Sequence, residues 1–403
     1  MSKMKRILFF IPEYSSGGAE QTVRNLITYM KMYCADYEVY ECIMHEPAEK
    51  VKDIHLYVMK HDTKLAKSIM DKFRLKIGQI CELHRLKKKL KIDICVSFLF
   101  GADTVNVLSQ FPCLNTKSVI SLRNNLVLIY DKLPFLKKRL WDINLKRADY
   151  IVALSQSVEN AVIERFPNIK NKITSIHNPV PCSSVGVCPD LIKKLRQNEK
   201  KIITTAGRLT FQKGQWRLIK MMKLLKEKSE NIELIILGKG ELENRLKELA
   251  TELDVIDKIH FLGFVNNAND YIYYSDIFVF PSLFEGLGNV LIEAISLGKV
   301  VISSDCPFGP REILAPNTEF KECKEVEYAQ YGVLVPNGVN DLHDHIIRND
   351  EVMFAEAILS VISDNGKMEY YEKAAQERAE TFAPRVIVKK WDKIFTKLTG
   401  RKG

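Results

Sequence analysis

The stretch "DIFVFPSLFEGLGNVLIEAISLGKVVISS", Asp276 to Ser304, contains one repeat of the pattern that sets the fold. Two short runs rich in β-branched and aromatic residues, IFVFPS and KVVISS, flank a segment of helical character. Asn289 is a natural N-cap for that helix, and Gly298 ends it about nine residues later. The same alternation runs through most of the chain. In the first half the strand-like runs are RILFFIP, YEVYECIM, DICVSFLF, KSVISLR, DYIVALS and KITSIHN. In the second half they are KIITTAG, IELIILG, KIHFLGFV, IFVFPS, KVVISS and YGVLVP. Short strands separated by helices predict an α/β protein with parallel sheets covered on both faces. Six runs on either side of residue 190 predict two doubly wound domains.

The expected boundaries are a first domain over 1–180, a linker over 181–198 and a second domain over 199–384. The linker is marked by "NPVPCSSVGVCPD", Asn178 to Asp190, with its three prolines. A last helix, 385–403, is expected to pack back on the first domain.

Composition narrows the class. The 403 residues are 46% hydrophobic and 27% charged, as in a globular protein rather than a disordered or fibrous one. Apolar runs are interrupted by Asp, Pro or Ser well short of membrane-spanning length, so no transmembrane helix is expected. "MSKMKRILFFIPEY" reads as a first strand rather than a signal peptide, because its apolar run is short and lacks a small-residue cleavage site. Nine dispersed cysteines without Cys-x-x-Cys favour reduced thiols and a cytoplasmic location. His343 and His345 share an acidic, loop-like stretch that we read as solvated rather than as a metal site. The net charge of +10 lies wholly in the first half: residues 1–190 hold 29 basic against 19 acidic residues, and the remainder 31 of each. The densest runs are KLAKSIMDKFRLK (64–76), HRLKKKLK (84–91) and LKKR (136–139). Such runs serve either as solvated helix faces or as a surface for anionic lipid or nucleic acid.

In open α/β sheets ligands bind at the carboxyl ends of strands. Four loops there carry chemistry. "PEYSSGGAEQ" places Gly17 and Gly18 ahead of a helix, where backbone N–H groups can approach an anion. "AGRLTFQKGQ" holds Arg208 and Lys213, which together suit a diphosphate, Arg as a fork and Lys as a point charge. "LGKGELENRL" sets Gly238 and Gly240 before a helix expected to open at Glu241, which complements the helix dipole.

The fourth loop carries Glu285 and leads to Glu293. With Asn289 at the N-cap, the N3 position is Ile292, so Glu293 does not complete a capping box. Its flanks, Val290 and Leu297, are apolar. A carboxylate in that setting needs a ligand that offers two donors, and vicinal ribose hydroxyls do so.

The ordered set "SGGAE", "HNPV", "AGRLTFQKG", "LGKGELENRL", "FLGFV", "FPSLFEGLGNVLIEA" and "SSDCPFGPREIL" resembles the family 4 retaining glycosyltransferases. Their GT-B fold comprises two Rossmann-like domains facing a central cleft. The Glu-x7-Glu pair is the most specific mark. The resemblance implies that Arg208 and Lys213 hold the nucleotide diphosphate and that Glu293 binds the ribose hydroxyls. It implies that Glu285 contacts the donor sugar, with backbone groups of Gly286, Leu287, Gly288 and Asn289 nearby. Gly17 and Gly18 match a loop that closes over the diphosphate, Gly238 the donor-binding loop after the next strand, and Gly263, Phe264 and Val265 a segment contacting the base. Family members often carry a His after the fourth or fifth strand, where this chain reads "ISLRNNL"; Arg123, followed by Asn124 and Asn125, is expected to take that position beside donor phosphate or acceptor.

No Asp-x-Asp occurs, so cations and helix N-termini are expected to neutralise the leaving diphosphate without a metal or cofactor. The expected donor is a UDP-sugar, a hexose or N-acetylhexosamine. The expected acceptor is a polyprenyl-diphosphate-linked saccharide of bacterial capsule, O-antigen or exopolysaccharide synthesis, reached from the inner face of the plasma membrane through the basic first domain. Three rivals were weighed. A GT-B-fold sugar-nucleotide epimerase needs no acceptor. An NAD-dependent enzyme needs a Rossmann fingerprint, which is missing. A nucleic-acid-binding protein needs a reading motif, and none is present.

Overall fold

The computed structural model describes residues 4–13, 18–45, 55–111, 114–123, 130–181, 184–229, 231–338 and 341–400. The chain forms two compact units, residues 1–179 with 384–403, and residues 180–383.

The first unit is built on strands β1 (Lys5–Ile11), β2 (Tyr37–Ile43), β3 (Leu56–Val58), β4 (Ile94–Phe98), β5 (Lys117–Leu122), β6 (Tyr150–Ala153) and β7 (Ile173–Ser175). They lie in the order 3-2-1-4-5-6-7, every pair parallel. Side chains alternate along β1, so one strand feeds two cores. Ile7, Phe9 and Ile11 pack with Val23, Leu26 and Met30 of helix Gly18–Tyr33 and with Trp391 and Phe395. Leu8 and Phe10 face the other way, toward Leu83 of helix Ile69–Leu90 and Val105 of helix Phe100–Leu108. The last helix, Pro384–Thr399, places Ile387, Trp391 and Phe395 in the first unit's core.

The second unit repeats the design with β8 (Lys201–Ala206), β9 (Ile232–Leu237), β10 (Ile259–Gly263), β11 (Ile277–Phe280), β12 (Val300–Ser304), β13 (Glu327–Ala329) and β14 (Gly332–Val335). The order is 10-9-8-11-12-14-13, parallel except for β13, which runs antiparallel to β14. All six residues of β9 are buried, as a strand covered on both faces requires.

Each sheet has seven strands rather than the six read from sequence. The additional ones, β3 and β13, are three-residue edge strands, too short to show a period. The segment 181–198 is not linker throughout. Asp190–Gln197 is a helix of the second unit, because Ile192 and Leu195 supply a buried face.

Strand order reverses between β1 and β4 in one sheet and between β8 and β11 in the other. At such a switch point the two loops leaving neighbouring strands diverge and open a crevice. In the second unit those loops are the ones carrying Lys213 and Glu285.

Candidate active site

The loop after β8 is shaped by glycine. Gly207 donates its N–H to the Leu237 carbonyl at 2.9 Å, and Gly238 donates to Gly263 at 2.7 Å, so the ends of β8, β9 and β10 are stitched together. A Cβ on Gly238 would stand 1.9 Å from the Gly207 carbonyl oxygen, which only glycine avoids. Gly214, at φ +61°, turns the chain into helix Gln215–Lys228, and a Cβ there would meet the Pro281 carbonyl at 2.5 Å. The loops after β8 and β11 therefore touch backbone to backbone. Leu283 N–H donates to the Gln212 carbonyl at 2.8 Å, and Gln212 Nε2 donates to the Phe284 carbonyl at 2.9 Å.

Across that seam Lys213 Nζ reaches Glu285 Oε1 at 2.5 Å and lies over the Phe280 ring, 5.2 Å from its centre. Both members of the pair are largely removed from solvent. Glu285 is fixed further by its own N–H, which donates to the Pro307 carbonyl at 3.1 Å. The loop after β12 crosses beneath at Gly309, where a Cβ would stand 2.1 Å from the Leu287 carbonyl oxygen. The run "SSDCPFGPREIL" thus braces the floor of the site.

Gly288, at φ +88°, is the N-cap of helix Asn289–Ser296. This corrects the reading of Asn289 as cap: the left-handed turn needs glycine one position earlier, and Asn289 becomes the first helical residue. Glu293 is then still further from the capping position. Its carboxylate is half-buried and makes no hydrogen bond within the described residues. Burial pushes its pKa up, and the nearby Lys213 charge opposes part of that rise. Glu285 and Glu293 thus bear on one cation from different elements.

Arg208 takes no part in the Lys213–Glu285 pair. Its side chain is exposed and, within the described residues, has no acidic partner; its carbonyl accepts from Gln215 Nε2 at 3.0 Å. The two cations therefore differ: one is committed to Glu285, the other is available. Phe264 is exposed beyond Gly263, whose φ is +67°. The helix after Gly240 begins at Glu243 rather than Glu241, because Gly240 packs against Leu209 and delays the first turn.

In the first unit Arg123 follows β5. Its Nε donates to Ser121 Oγ at 2.8 Å, its Nη1 donates to Asn178 Oδ1 of "HNPV", and the guanidinium lies 5.3 Å from the Phe98 ring centre. Desolvation pushes its pKa down to about 9, and no carboxylate pairs with it among the described residues. Gly18 opens helix Gly18–Tyr33. Gly17, Asn124 and Asn125 lie outside the described residues.

Sequence reading missed Arg217. This fully buried guanidinium pairs with Asp350 at 2.7 Å and donates to the carbonyls of Pro281 and Pro336, each at 3.2 Å. It also donates to Asn337 Oδ1 at 3.2 Å, and Asn337 Nδ2 in turn donates to the Leu283 carbonyl at 2.9 Å. Arg217 therefore positions the loop bearing Glu285 without reaching the site. The available signal was a basic residue whose i+4 and i+7 neighbours, Met221 and Leu224, are apolar.

Residues 189–378 match the family model described as glycosyl transferases group 1, and residues 16–184 match that of glycosyltransferase family 4. An uncharacterized glycosyltransferase of Methanocaldococcus jannaschii is 30% identical over 395 residues, covering 92% of this chain and 95% of the relative. A Campylobacter jejuni enzyme, N-acetylgalactosamine-N,N'-diacetylbacillosaminyl-diphospho-undecaprenol 4-alpha-N-acetylgalactosaminyltransferase, is 24% identical over 385 residues, covering 94% and 96%. Among solved structures, Anabaena HepE in complex with UDP superposes with a TM-score of 0.72 at 19% identity, covering 97% of this chain and all of that one. Matched over nearly its whole length by these family models and by a 30%-identical relative, and doubly wound in both units, this chain belongs to the family 4 glycosyltransferases and has their GT-B fold.

Proposed function

We propose that this chain is a retaining, metal-independent hexosyltransferase. It moves a hexose or N-acetylhexosamine from a UDP-sugar to a polyprenyl-diphosphate-linked saccharide in bacterial surface-polysaccharide synthesis. The observation that carries this is Lys213, paired with Glu285 and close to the carboxylate of Glu293, which makes no hydrogen bond among the described residues. A nucleoside diphosphate supplies what each group lacks. Its ribose hydroxyls donate to Glu293, and its phosphates meet Lys213 and the exposed guanidinium of Arg208. Glu285, held by Lys213, contacts the sugar. As the sugar–phosphate bond breaks, negative charge builds on the diphosphate, and fixed cations stabilise it without reorganising.

The acceptor assignment draws on the C. jejuni relative, whose name specifies a diphospho-undecaprenol acceptor. Arg123, a desolvated cation without an acidic partner among the described residues, is assigned to an anionic group of the acceptor. The excess of basic residues in 1–190 suits work at an anionic inner-leaflet surface.

A thermal-shift panel of sugar nucleotides tests the donor, since a ligand at one hundred times its Kd stabilises by about 2.7 kcal/mol. Stabilisation by a UDP-sugar beyond that by ADP- or GDP-sugars is expected, and no response to any of them overturns the reading. Transfer should persist in EDTA; complete loss restored by Mg²⁺ counts against a cation-only site. UDP release that does not depend on acceptor would favour an epimerase.

A further inference from the structure

We propose that the first unit seats itself on an anionic phospholipid bilayer through one apolar face, made by the opening turns of helix Ile69–Leu90 and of helix Phe135–Arg147. This deepens the reading of a lipid-linked acceptor, but it stands on separate observations. Helix Ile69–Leu90 is anchored by its second half, where Leu83 and Lys87 are buried and Lys87 Nζ bonds Asn106 Oδ1 at 2.7 Å. Its first two turns leave one apolar side exposed. Ile69 is 91% exposed, Phe73 64%, and Met70 and Ile77 are exposed beside them. At 3.6 residues per turn these four side chains fall within about 100° of arc and form one stripe. The exposed turns are well formed, because Ser68 caps them by accepting from the Asp71 N–H at 3.0 Å.

Helix Phe135–Arg147 opens the same way, with Phe135 and Leu136 about as exposed as Phe73. The two openings are joined through helix Phe100–Leu108. Lys76 Nζ donates to the Gly101 carbonyl at 3.1 Å, and Lys137 Nζ lies 6.0 Å from the centre of the Phe100 ring. One surface therefore runs from the Ile69 stripe, past Phe100 and Gly101, to Phe135 and Leu136. Leaving such side chains in water forgoes roughly 1.5–3 kcal/mol each, which a soluble face seldom concentrates in one place.

The charge pattern selects the partner. Residues 64–76 carry five basic residues and one acidic residue, and Phe135 and Leu136 are followed by Lys137, Lys138 and Arg139. Apolar side chains rimmed by cations suit insertion at a headgroup boundary, where each basic residue near an anionic surface adds about 1 kcal/mol. No helix among the described residues is long and apolar enough to cross a membrane, so the face lies on the bilayer rather than through it.

Vesicle flotation of the full chain tests this without donor or acceptor, so its failure leaves glycosyl transfer untouched. Binding is expected on phosphatidylglycerol–phosphatidylethanolamine vesicles. The double variant Phe73→Glu, Leu136→Glu should lose at least about tenfold of that partitioning at unchanged melting temperature, since both side chains are exposed. Unchanged binding by the double variant overturns the proposal, as does equal binding of wild type to pure phosphatidylcholine vesicles. A dimer in sedimentation that the variant dissociates, with no vesicle binding, assigns the face to a second copy instead.

Discussion

Lys213 Nζ lies 2.5 Å from Glu285 Oε1 and ties the loop after β8 to the loop after β11 at the switch point of the second sheet. The pair sets the position of both side chains before any ligand arrives. Phe280 beneath the ammonium and the Pro307 carbonyl on the Glu285 N–H complete the constraint. If the donor binds here as proposed, it meets an ion pair already formed rather than two separate side chains.

Breaking that pair from one side should be costly. Lys213→Ala leaves a buried carboxylate without its cation, with an expected loss of about 3–5 kcal/mol in stability and a fall in kcat of about 100-fold or more. The double variant Lys213→Met, Glu285→Gln should recover much of the stability but none of the activity. Urea unfolding of the two variants checks this, and equal stabilities would show that the pair is not coupled.

Glu293 should behave oppositely. Glu293→Gln keeps the shape and removes a charge that burial disfavours, so the unliganded protein should hold or gain stability. UDP affinity should fall by about 10- to 100-fold, the worth of hydrogen bonds to a charged group. Calorimetry that finds unchanged UDP affinity would falsify the ribose assignment.

The same carboxylate predicts a pH dependence. Its folded-state pKa is raised, so its contribution to stability is fully present below the unfolded value and is lost as pH rises through the folded one. Wild type without nucleotide should therefore lose stability relative to Glu293→Gln as pH climbs from about 4 toward neutrality. A difference in Tm that stays constant across that range speaks against a raised Glu293.

Arg208 separates binding from stability. Its side chain is exposed and has no acidic partner among the described residues, so Arg208→Ala should change unfolding by no more than about 0.5 kcal/mol. Affinity for a UDP-sugar should nevertheless drop about tenfold or more. A stability loss as large as that of Lys213→Ala would place Arg208 in the scaffold instead.

Arg217 is the converse case. Arg217→Ala strands Asp350 in the core and releases the carbonyls of Pro281 and Pro336. We expect a loss of about 3–5 kcal/mol. Arg217→Lys should rescue little, since a point charge cannot span the carboxylate and three further acceptors. Thermal unfolding of the two variants makes the comparison.

Much of this protein is legible in its residues taken alone. Apolar runs of strand length between helical segments dictate two parallel sheets, because a strand buried on both faces must be continuously apolar. The odd placement of Glu293 among Val290, Ile292 and Leu297 marks it, from local spacing alone, as a carboxylate that capping does not account for. Tertiary structure decided what spacing does not encode. Arg208 and Lys213 look equivalent in sequence, yet only Lys213 points at Glu285, because Gly214 and the reversal between β8 and β11 bring those loops together. The cap passed from Asn289 to Gly288 because the turn is left-handed, and Arg217 became a brace because residues far along the chain converge on it. Burial and partnership depend on what folds against a residue, and that is set by contacts distant in sequence.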